Sequence, residues 1–169
     1  MLLSGTAPND DPQAIFAGDV SAKNFAAVSA SNFLPTDTMQ FYYTPTLVQT
    51  CKARILFDTG LSTESLEGPL RDAGVGADDI THVVITHMHP DHIGGMTRAD
   101  GMLTDPGAAY LTGAVEFDSA ACRENQIFDA KERPFAERFG FLNKGDAVAP
   151  GVTAMAAFWA HAWPHDLSF

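Results

Sequence analysis

The sequence predicts a protein of the α/β class, in which strands and helices form layers. Residues 83–85 are a run of apolar β-formers with the composition of a buried strand. A second strand-forming run covers residues 53–57, and an amphipathic stretch with apolar Leu66, Leu70 and Ala73 lies between the two. Strand, helix and strand in that order predict a βαβ-like unit, with its chemistry at the carboxyl end of the second strand.

The first third of the chain gives a mixed pattern. Residues 1–12 are polar and contain Pro and Asp, so we expect a mobile or loosely packed arm. Residues 14–33 show no clean period. Residues 39–50 and 53–57 are rich in Phe, Tyr, Thr and Val and predict a β-hairpin with Cys51 and Lys52 in its turn. Ser62 is placed to cap the helix that follows, and Gly74 to end it.

The later part of the chain predicts a strand at residues 108–111 and a helix at 114–121. A second helix is expected from Pro134 to Gly140, and a strand at 151–158, whereas residues 123–133 are charged and weakly patterned. Four aromatic residues in this part either line a pocket or pack in the core, which is commoner for aromatics at helical spacing. They are Phe128, Phe135, Phe139 and Phe141.

The strongest chemical signal is a cluster of histidines just after the central strand. His87 and His89 alternate along an extended segment, so both side chains project to the same side. Pro90 ends the strand and turns the chain, which lets Asp91 and His92 approach from another direction. Imidazole and carboxylate groups suit zinc, iron or manganese, and they predict two metal sub-sites.

Two further features belong to this stretch. Gly94 and Gly95 allow the backbone to approach closely in a crowded site. His82 lies early on the strand, where a lone histidine is usually a core or surface residue and not a ligand.

Composition restricts the function classes. The 169 residues are 46% hydrophobic, which is enough for one domain with a core. The formal net charge of −11 disfavours nucleic acid as a partner. No stretch is apolar enough to span a bilayer and none has the pattern of a signal peptide, so we expect a cytoplasmic protein; a signal removed earlier would leave the same sequence. Cys51 and Cys122 are expected as free thiols, with a single disulfide as the alternative.

Three motifs carry a resemblance to a known family. The central stretch reads HMHPDHIGG, residues 55–60 read ILFDTG, and residues 149–155 read APGVTAM. The first of these resembles the HxHxDH signature of the metallo-β-lactamase-fold hydrolases, and its wording is most similar to the branch of methyl-parathion hydrolase and related lactonases. The resemblance implies an αββα sandwich over residues 39–169, present as the N-terminal half and the start of the second, with residues 1–38 as an arm and cover segment.

The resemblance also implies a set of metal ligands. His87, His89 and His161 would hold a first ion, and Asp91 and His92 a second, with Asp91 orienting the nucleophile as the catalytic carboxylate. The implied cofactors are two divalent ions, zinc foremost and iron or manganese as alternatives.

Supporting roles and departures follow from the same resemblance. Asp58 either caps a turn or supports the metal ligands without touching the metal. His165 is expected as a supporting or surface residue. Around His161 and His165 the chain reads WAHAWPH where the family has a GHTPGH-like segment, and the bulky replacements would affect the placement of His161. Asp166 is not in the context of the family's bridging aspartate.

The function implied is hydrolysis of a small ester, lactone or phosphotriester by a metal-activated water. Such an enzyme would have no nucleic-acid or membrane partner. Half of a sandwich would expose one face of its sheet, and a homodimer would cover that face. The alternative is a truncated, non-catalytic metal-binding remnant or subunit of such an enzyme. A glyoxalase-like relative that acts on thiol esters is a third possibility.

Overall fold

A computed structural model describes residues 1–155 of the chain. Two compact units are present: Gly5–Tyr43, and Met1–Ser4 together with the chain from Thr44 onward. His161, His165 and Asp166 lie outside the described residues, as does the end of the strand predicted at 151–158.

The unit Gly5–Tyr43 is a two-stranded antiparallel sheet with two helices. Strand β1 (Gly5–Asn9) pairs with β2 (Met39–Tyr43), and α1 (Pro12–Phe16) and α2 (Ala22–Ser31) lie between them in the chain. The prediction of a loosely packed arm at residues 1–12 is therefore wrong, because this stretch supplies β1 and the start of α1.

The strand predicted at residues 39–50 is also divided in the structure. Its first part, β2, pairs with β1, and its second part, β3 (Thr46–Gln49), belongs to the larger unit. Burial alternates along β2 in step with β1, and Pro45, which lacks a backbone N–H, stands between the two parts.

The larger unit contains a five-stranded sheet in the order β3-β4-β5-β6-β7. β3 and β4 (Arg54–Phe57) are antiparallel and form the predicted hairpin, with Cys51 and Lys52 between them. β4 and the three strands that follow it in the sheet are parallel: β5 (His82–Val84), β6 (Ala109–Gly113) and β7 (Phe139–Leu142). Thr50 stabilises the turn between β3 and β4: its Oγ1 accepts hydrogen bonds from the backbone N–H groups of Ala53 at 2.9 Å and Lys52 at 3.2 Å.

The predicted βαβ unit is confirmed as β4, α3 (Thr63–Asp72) and β5. Ser62 caps α3, with its hydroxyl accepting a hydrogen bond from the Ser65 N–H at 3.2 Å, and Leu66 and Leu70 face the core. Gly74 follows with a φ of 71°, a backbone conformation that suits glycine at a helix end. A 3-10 turn, Ala77–Asp79, then leads to β5.

Beyond the central loop, α4 (Pro90–Ile93), β6, α5 (Ala114–Ala121) and α6 (Gln126–Lys131) follow, and the two-stranded pair β8 (Ala147–Ala149) and β9 (Val152–Thr153) comes after β7. The predicted strand at 108–111 and the helix at 114–121 are confirmed. The helix predicted from Pro134 to Gly140 is confirmed in part: a 3-10 helix covers Arg133–Arg138 with Pro134 in its first turn, but Phe139 and Gly140 begin β7.

Both faces of the sheet carry buried apolar residues, although the second face is covered only in part by the described residues. Leu56, Val83 and Tyr110 face a core shared with the helices, and Ile55 and Val84 face a smaller cluster with β8. Phe128 and Phe139 are buried in the first core, and Phe117 makes ring contacts with both, so these two aromatics pack in the core.

Two other predictions concern the chain as a whole. Cys51 and Cys122 are free and exposed, as expected. Among residues 1–155, no helix is long and apolar enough to cross a bilayer.

Candidate metal centre

The predicted site lies where three parallel strands end. Asp58 directly follows β4, the histidine cluster follows β5, and Glu116 lies in the first turn of the helix after β6. Because β4, β5 and β6 are neighbours in the sheet, their carboxyl ends bring these side chains to one edge. The sheet therefore assembles the site from segments far apart in sequence.

The three histidines of the motif lie close together. The ring centroids of His87 and His89 are 4.5 Å apart, and those of His87 and His92 are 3.7 Å apart. Met88, between the first two, points the other way and is only 2% exposed. The alternation expected of an extended segment is therefore present, with the imidazoles on one side and Met88 in the core.

Helix α4 gives the remaining two motif residues their direction. Pro90 is its first residue, and the backbone N–H groups of His92 and Ile93 donate to the His89 carbonyl at 2.9 and 3.1 Å. This single turn folds the chain back, so that His92 Nε2 lies 3.2 Å from Asp91 Oδ2. The turn expected at Pro90 is confirmed.

Asp58 joins the end of β4 to the histidine loop. Its Oδ1 accepts a hydrogen bond from the Thr86 N–H at 2.8 Å, and its Oδ2 lies 2.8 Å from His92 Nδ1. Its φ is 62°, a left-handed conformation that Asp tolerates better than most residues. Next to it, Thr59 donates from both N–H and Oγ1 to the His92 carbonyl, at 2.7 and 2.8 Å. Asp58 thus both shapes the turn and orients a histidine of the motif.

The electrostatics of the cluster differ from one histidine to the next. Burial, with the neighbouring His92 and His89, lowers the pKa of His87 to about 4, so its imidazole is neutral at pH 7. Burial also acts to lower the pKa of His92, but hydrogen bonds from its ring to Asp58 and Asp91 outweigh that effect and raise it to about 9. Burial opposes ionisation of Asp91, yet the hydrogen bond and charge of His92 hold the pKa of its carboxyl below the usual value.

Gly94 and Gly95 are required by a close backbone approach. A Cβ on Gly94 would lie 2.2 Å from the Leu61 carbonyl oxygen, and one on Gly95 would lie 2.2 Å from that of Thr59. The expected crowding is therefore real, and its source is the turn after β4.

Two residues that sequence reasoning missed hold the backbone of the motif. Glu116 Oε1 accepts a hydrogen bond from the Met88 N–H at 2.9 Å, and Asn125 Nδ2 donates to the Met88 carbonyl at 3.3 Å. They are 28 and 37 residues away from Met88 in the chain, so no local pattern links them to the motif. By contrast, His82 lies at the far end of β5, where its Nδ1 contacts Thr81 Oγ1 at 2.8 Å.

A cavity of about 450 Å³ lies on the α3 side of the sheet. Its lining includes Leu66, Leu70, Val75, Arg98 and Asp105, and none of the histidines. The cavity is therefore distinct from the histidine cluster.

The donor set suits a divalent metal in kind. Three imidazoles and one carboxylate meet at one edge, and neutral His87 has the protonation state of a ligand. Within residues 1–155, however, no three His, Cys, Asp or Glu side chains are arranged to hold a single ion. Both ring nitrogens of His92 face carboxylates instead, at Asp58 and Asp91. The predicted ligand His161 lies outside the described residues.

Comparison with known sequences gives one match. The sequence profile of the Metallo-beta-lactamase superfamily matches residues 40–99, which include the whole histidine motif. No curated protein matches the chain.

Comparison with solved structures gives several neighbours of similar fold. A dizinc quorum-quenching lactonase, AidC, is 21% identical with a TM-score of 0.70 over 88% of this chain and 58% of its own. A probable metal-dependent hydrolase from Staphylococcus aureus is 21% identical with a TM-score of 0.69 over 89% of this chain and 60% of its own. The hydrolase AbOPH of the beta lactamase superfamily is 21% identical with a TM-score of 0.67, over 87% and 58%.

The chain thus spans about 60% of the length of these structures. At this level of identity the likeness concerns the fold. It covers most of the described chain, and the sequence profile covers the motif within it. The resemblance predicted from the sequence is confirmed: the chain has the metallo-β-lactamase fold, and residues 40–99 carry the sequence pattern of that superfamily.

Proposed function

We propose that this chain carries the metal-binding residues of a metal-dependent hydrolase that uses a metal-activated water on a small ester, lactone or phosphotriester. The observation that carries the proposal is the meeting of His87, His89, Asp91 and His92 at the carboxyl edge of the parallel strands. A hydrolytic metal site needs nitrogen and carboxylate ligands on a rigid support, and β5 with α4 supplies that support.

The residues divide the work in the following way. His87 and His89 would hold one divalent ion, and Asp91 and His92 a second, with zinc as the first choice. Bound metals would supply Lewis-acid polarisation of the substrate and a water nucleophile at neutral pH. His92 would have to lose a ring proton in order to act as a ligand, since its hydrogen bonds to Asp58 and Asp91 raise its pKa to about 9.

Asp91 and Asp58 have different tasks in this proposal. The Asp91 carboxylate is ionised at neutral pH, so it can orient an attacking water by accepting its hydrogen bond. Asp58 accepts a hydrogen bond from the Thr86 N–H and would hold the His92 ring in place through its Nδ1.

The neighbours of similar fold support the choice of substrate class. One is a lactonase whose bound product is N-hexanoyl-L-homoserine, and several others are N-acyl homoserine lactone hydrolases. We propose as the first choice of substrate a lactone, which these neighbours support, or an organophosphate-like ester, which the resemblance of the motif to the branch of methyl-parathion hydrolase implies.

The test is hydrolysis of an N-acyl homoserine lactone and of an aryl phosphotriester such as paraoxon by the zinc-loaded chain. We expect turnover by the wild type, its loss in H87A, and its retention in the control H82A, whose ring lies at the other end of β5. Equal rates in the wild type and H87A would contradict the proposal.

A second candidate function is metal binding without catalysis. Both His92 nitrogens are engaged by carboxylates, and among the described residues no three donors surround one point. This candidate predicts one weakly held ion and no turnover of either substrate. Metal content measured beside the same assay separates the two functions, because a catalytic site needs an open position as well as ligands.

A further inference from the structure

We propose that Glu116 and Asn125 are positioning residues that hold His87 and His89 in register by clamping the peptide groups of Met88, the residue between them. The proposal rests on the proposed function for its purpose, since it concerns how these two imidazoles are aimed at a metal.

The clamp grips both polar groups of Met88. The Met88 N–H donates to Glu116 Oε1 at 2.9 Å, and the Met88 carbonyl accepts from Asn125 Nδ2 at 3.3 Å. Its side chain is 2% exposed and belongs to the main core. Met88 is thus fixed through its N–H, its carbonyl and its side chain.

The hydrogen bonds to Met88 lie just beyond the last backbone hydrogen bond between β5 and β6. Pairing between β5 and β6 ends at Val84 and Leu111, and Ile85 adds one more bond from its N–H to the Leu111 carbonyl at 2.9 Å. At Met88 the backbone partners are side chains instead. Buried backbone groups need partners, and here two side chains supply them beyond the end of β5.

Glu116 and Asn125 both lie at the N-terminal ends of helices. Glu116 lies in the first turn of α5, which follows β6 without a loop, and a carboxylate is favoured there by the helix dipole. Asn125 is the N-cap of α6: its Oδ1 accepts a hydrogen bond from the Phe128 N–H at 3.0 Å while its Nδ2 reaches Met88. Each contact therefore ties the motif to an element of the core.

Fixing the peptide groups of Met88 would also fix the orientation of His87 and His89. A rotation of the peptide groups of Met88 would move the side chains of His87 and His89 together, because the two residues flank it. Metal sites tolerate errors of only about 0.5 Å in ligand position. Loss of partners that orient metal ligands costs about 10- to 100-fold in metal affinity.

Three variants separate the clamp from general folding. E116Q keeps an oxygen acceptor for the Met88 N–H, and E116A removes it. N125D keeps the α6 cap, since Asp caps helices as well as Asn does, but cannot donate to the Met88 carbonyl. D118A, at an exposed position of the same helix α5, is the matched control.

The first measurement is amide hydrogen exchange of Met88 by NMR on the metal-free chain. We expect exchange to be at least about tenfold faster in E116A than in the wild type, because the hydrogen bond that protects the Met88 N–H is lost. E116Q and D118A should stay close to the wild type. Unchanged exchange in E116A would overturn the proposal.

The second measurement is zinc affinity by competition with a chromophoric chelator. We expect affinity to fall about 10- to 100-fold in E116A and N125D and to stay close to the wild-type value in E116Q and D118A. Wild-type affinity in N125D would overturn the role of Asn125. If the wild type itself binds no zinc, the proposed function fails, and the Met88 exchange rates still decide whether the clamp exists.

Discussion

Two regions of the larger unit differ in whether their carboxyl groups have partners. In the ligand loop, residues 86–92 with Asp58, each carboxylate has a histidine partner: His92 lies 2.8 Å from Asp58 and 3.2 Å from Asp91. The buried acids Asp105 and Glu132 are 4% and 0% exposed. Of the described residues, these two have buried carboxyl oxygens without a hydrogen-bond partner: Oδ1 of Asp105 and both oxygens of Glu132.

The protonation states follow the same division. Burial raises the pKa of Asp105 to about 6 and that of Glu132 to about 8, whereas His92 keeps the pKa of the Asp91 carboxyl below its usual value. Burial acts on all three, so partners make the difference. The Asp91 carboxyl is therefore ionised at the edge of the sheet, whereas burial keeps a proton on Glu132 at pH 7 and on Asp105 only below about pH 6.

The largest effect is expected where the ligand loop meets the turn after β4. In G94A the new Cβ would meet the Leu61 carbonyl oxygen, so we expect a loss of at least about 3 kcal/mol in the free energy of unfolding. G107A is the matched control, because no atom lies within 4 Å of its Cβ position. Denaturant titration measures both, and a G94A chain as stable as G107A would show that the loop can move aside.

The buried acids should appear as a pH dependence of stability. Between the usual pKa of 4.5 and the raised value of about 8, folded Glu132 keeps a proton that the unfolded chain releases. Stability is therefore fully present below pH 4.5 and falls as the pH rises toward 8. We expect the wild type to lose about 3 kcal/mol more than E132Q between pH 5 and pH 8.

Denaturant titrations at several pH values measure this difference between the two chains. Taking the difference removes the contributions of His87, His92 and Asp105, which both chains share. Parallel pH curves for the wild type and E132Q would show that Glu132 has a partner in solution and would weaken the contrast between the two regions.

A smaller loss is expected for the partner of His92. D58A removes the acceptor for the Thr86 N–H and for the His92 ring, and it places Ala at a φ of 62°, so we expect a cost of about 2 kcal/mol at pH 7. D58N keeps an acceptor and tolerates the left-handed backbone, so its cost should be smaller. If chemical denaturation gives equal stability for D58A and the wild type, the pairing at the loop contributes nothing to the fold.

The fold was predictable where a pattern is local. The unit β4-α3-β5 could be read from an apolar strand, a serine cap and apolar residues at helical spacing, because all these signals lie within about thirty residues. Pairing of β1 with β2 joins Gly5 to Tyr43 across two helices, and no local signal selects it. The first two residues of β7 were predicted as the end of a helix because Phe135 and Phe139 have helical spacing and Gly140 fits a helix stop.

The candidate site divides along the same line. His87, His89, Asp91 and His92 were found because one extended segment and one turn carry all four. Asp58 was recognised as a supporting residue, and its contacts with Thr86 and His92 fit that role. Glu116 and Asn125 were missed, since they act on the Met88 backbone from 28 and 37 residues away. Side chains that bond to backbone leave no signature in the residue they hold.

Metal content per chain tests the central claim most directly. Protein purified without chelator is analysed for zinc, iron and manganese, beside its mass in solution and the variants H82A and H87A/H92A. We expect at least one divalent ion per chain in the wild type and in H82A, and close to two ions per chain if both proposed sub-sites are filled. In H87A/H92A we expect the bound metal to be lost. A wild-type chain that holds no metal, or one that holds as much as H87A/H92A, would contradict the assignment of this edge as a metal centre.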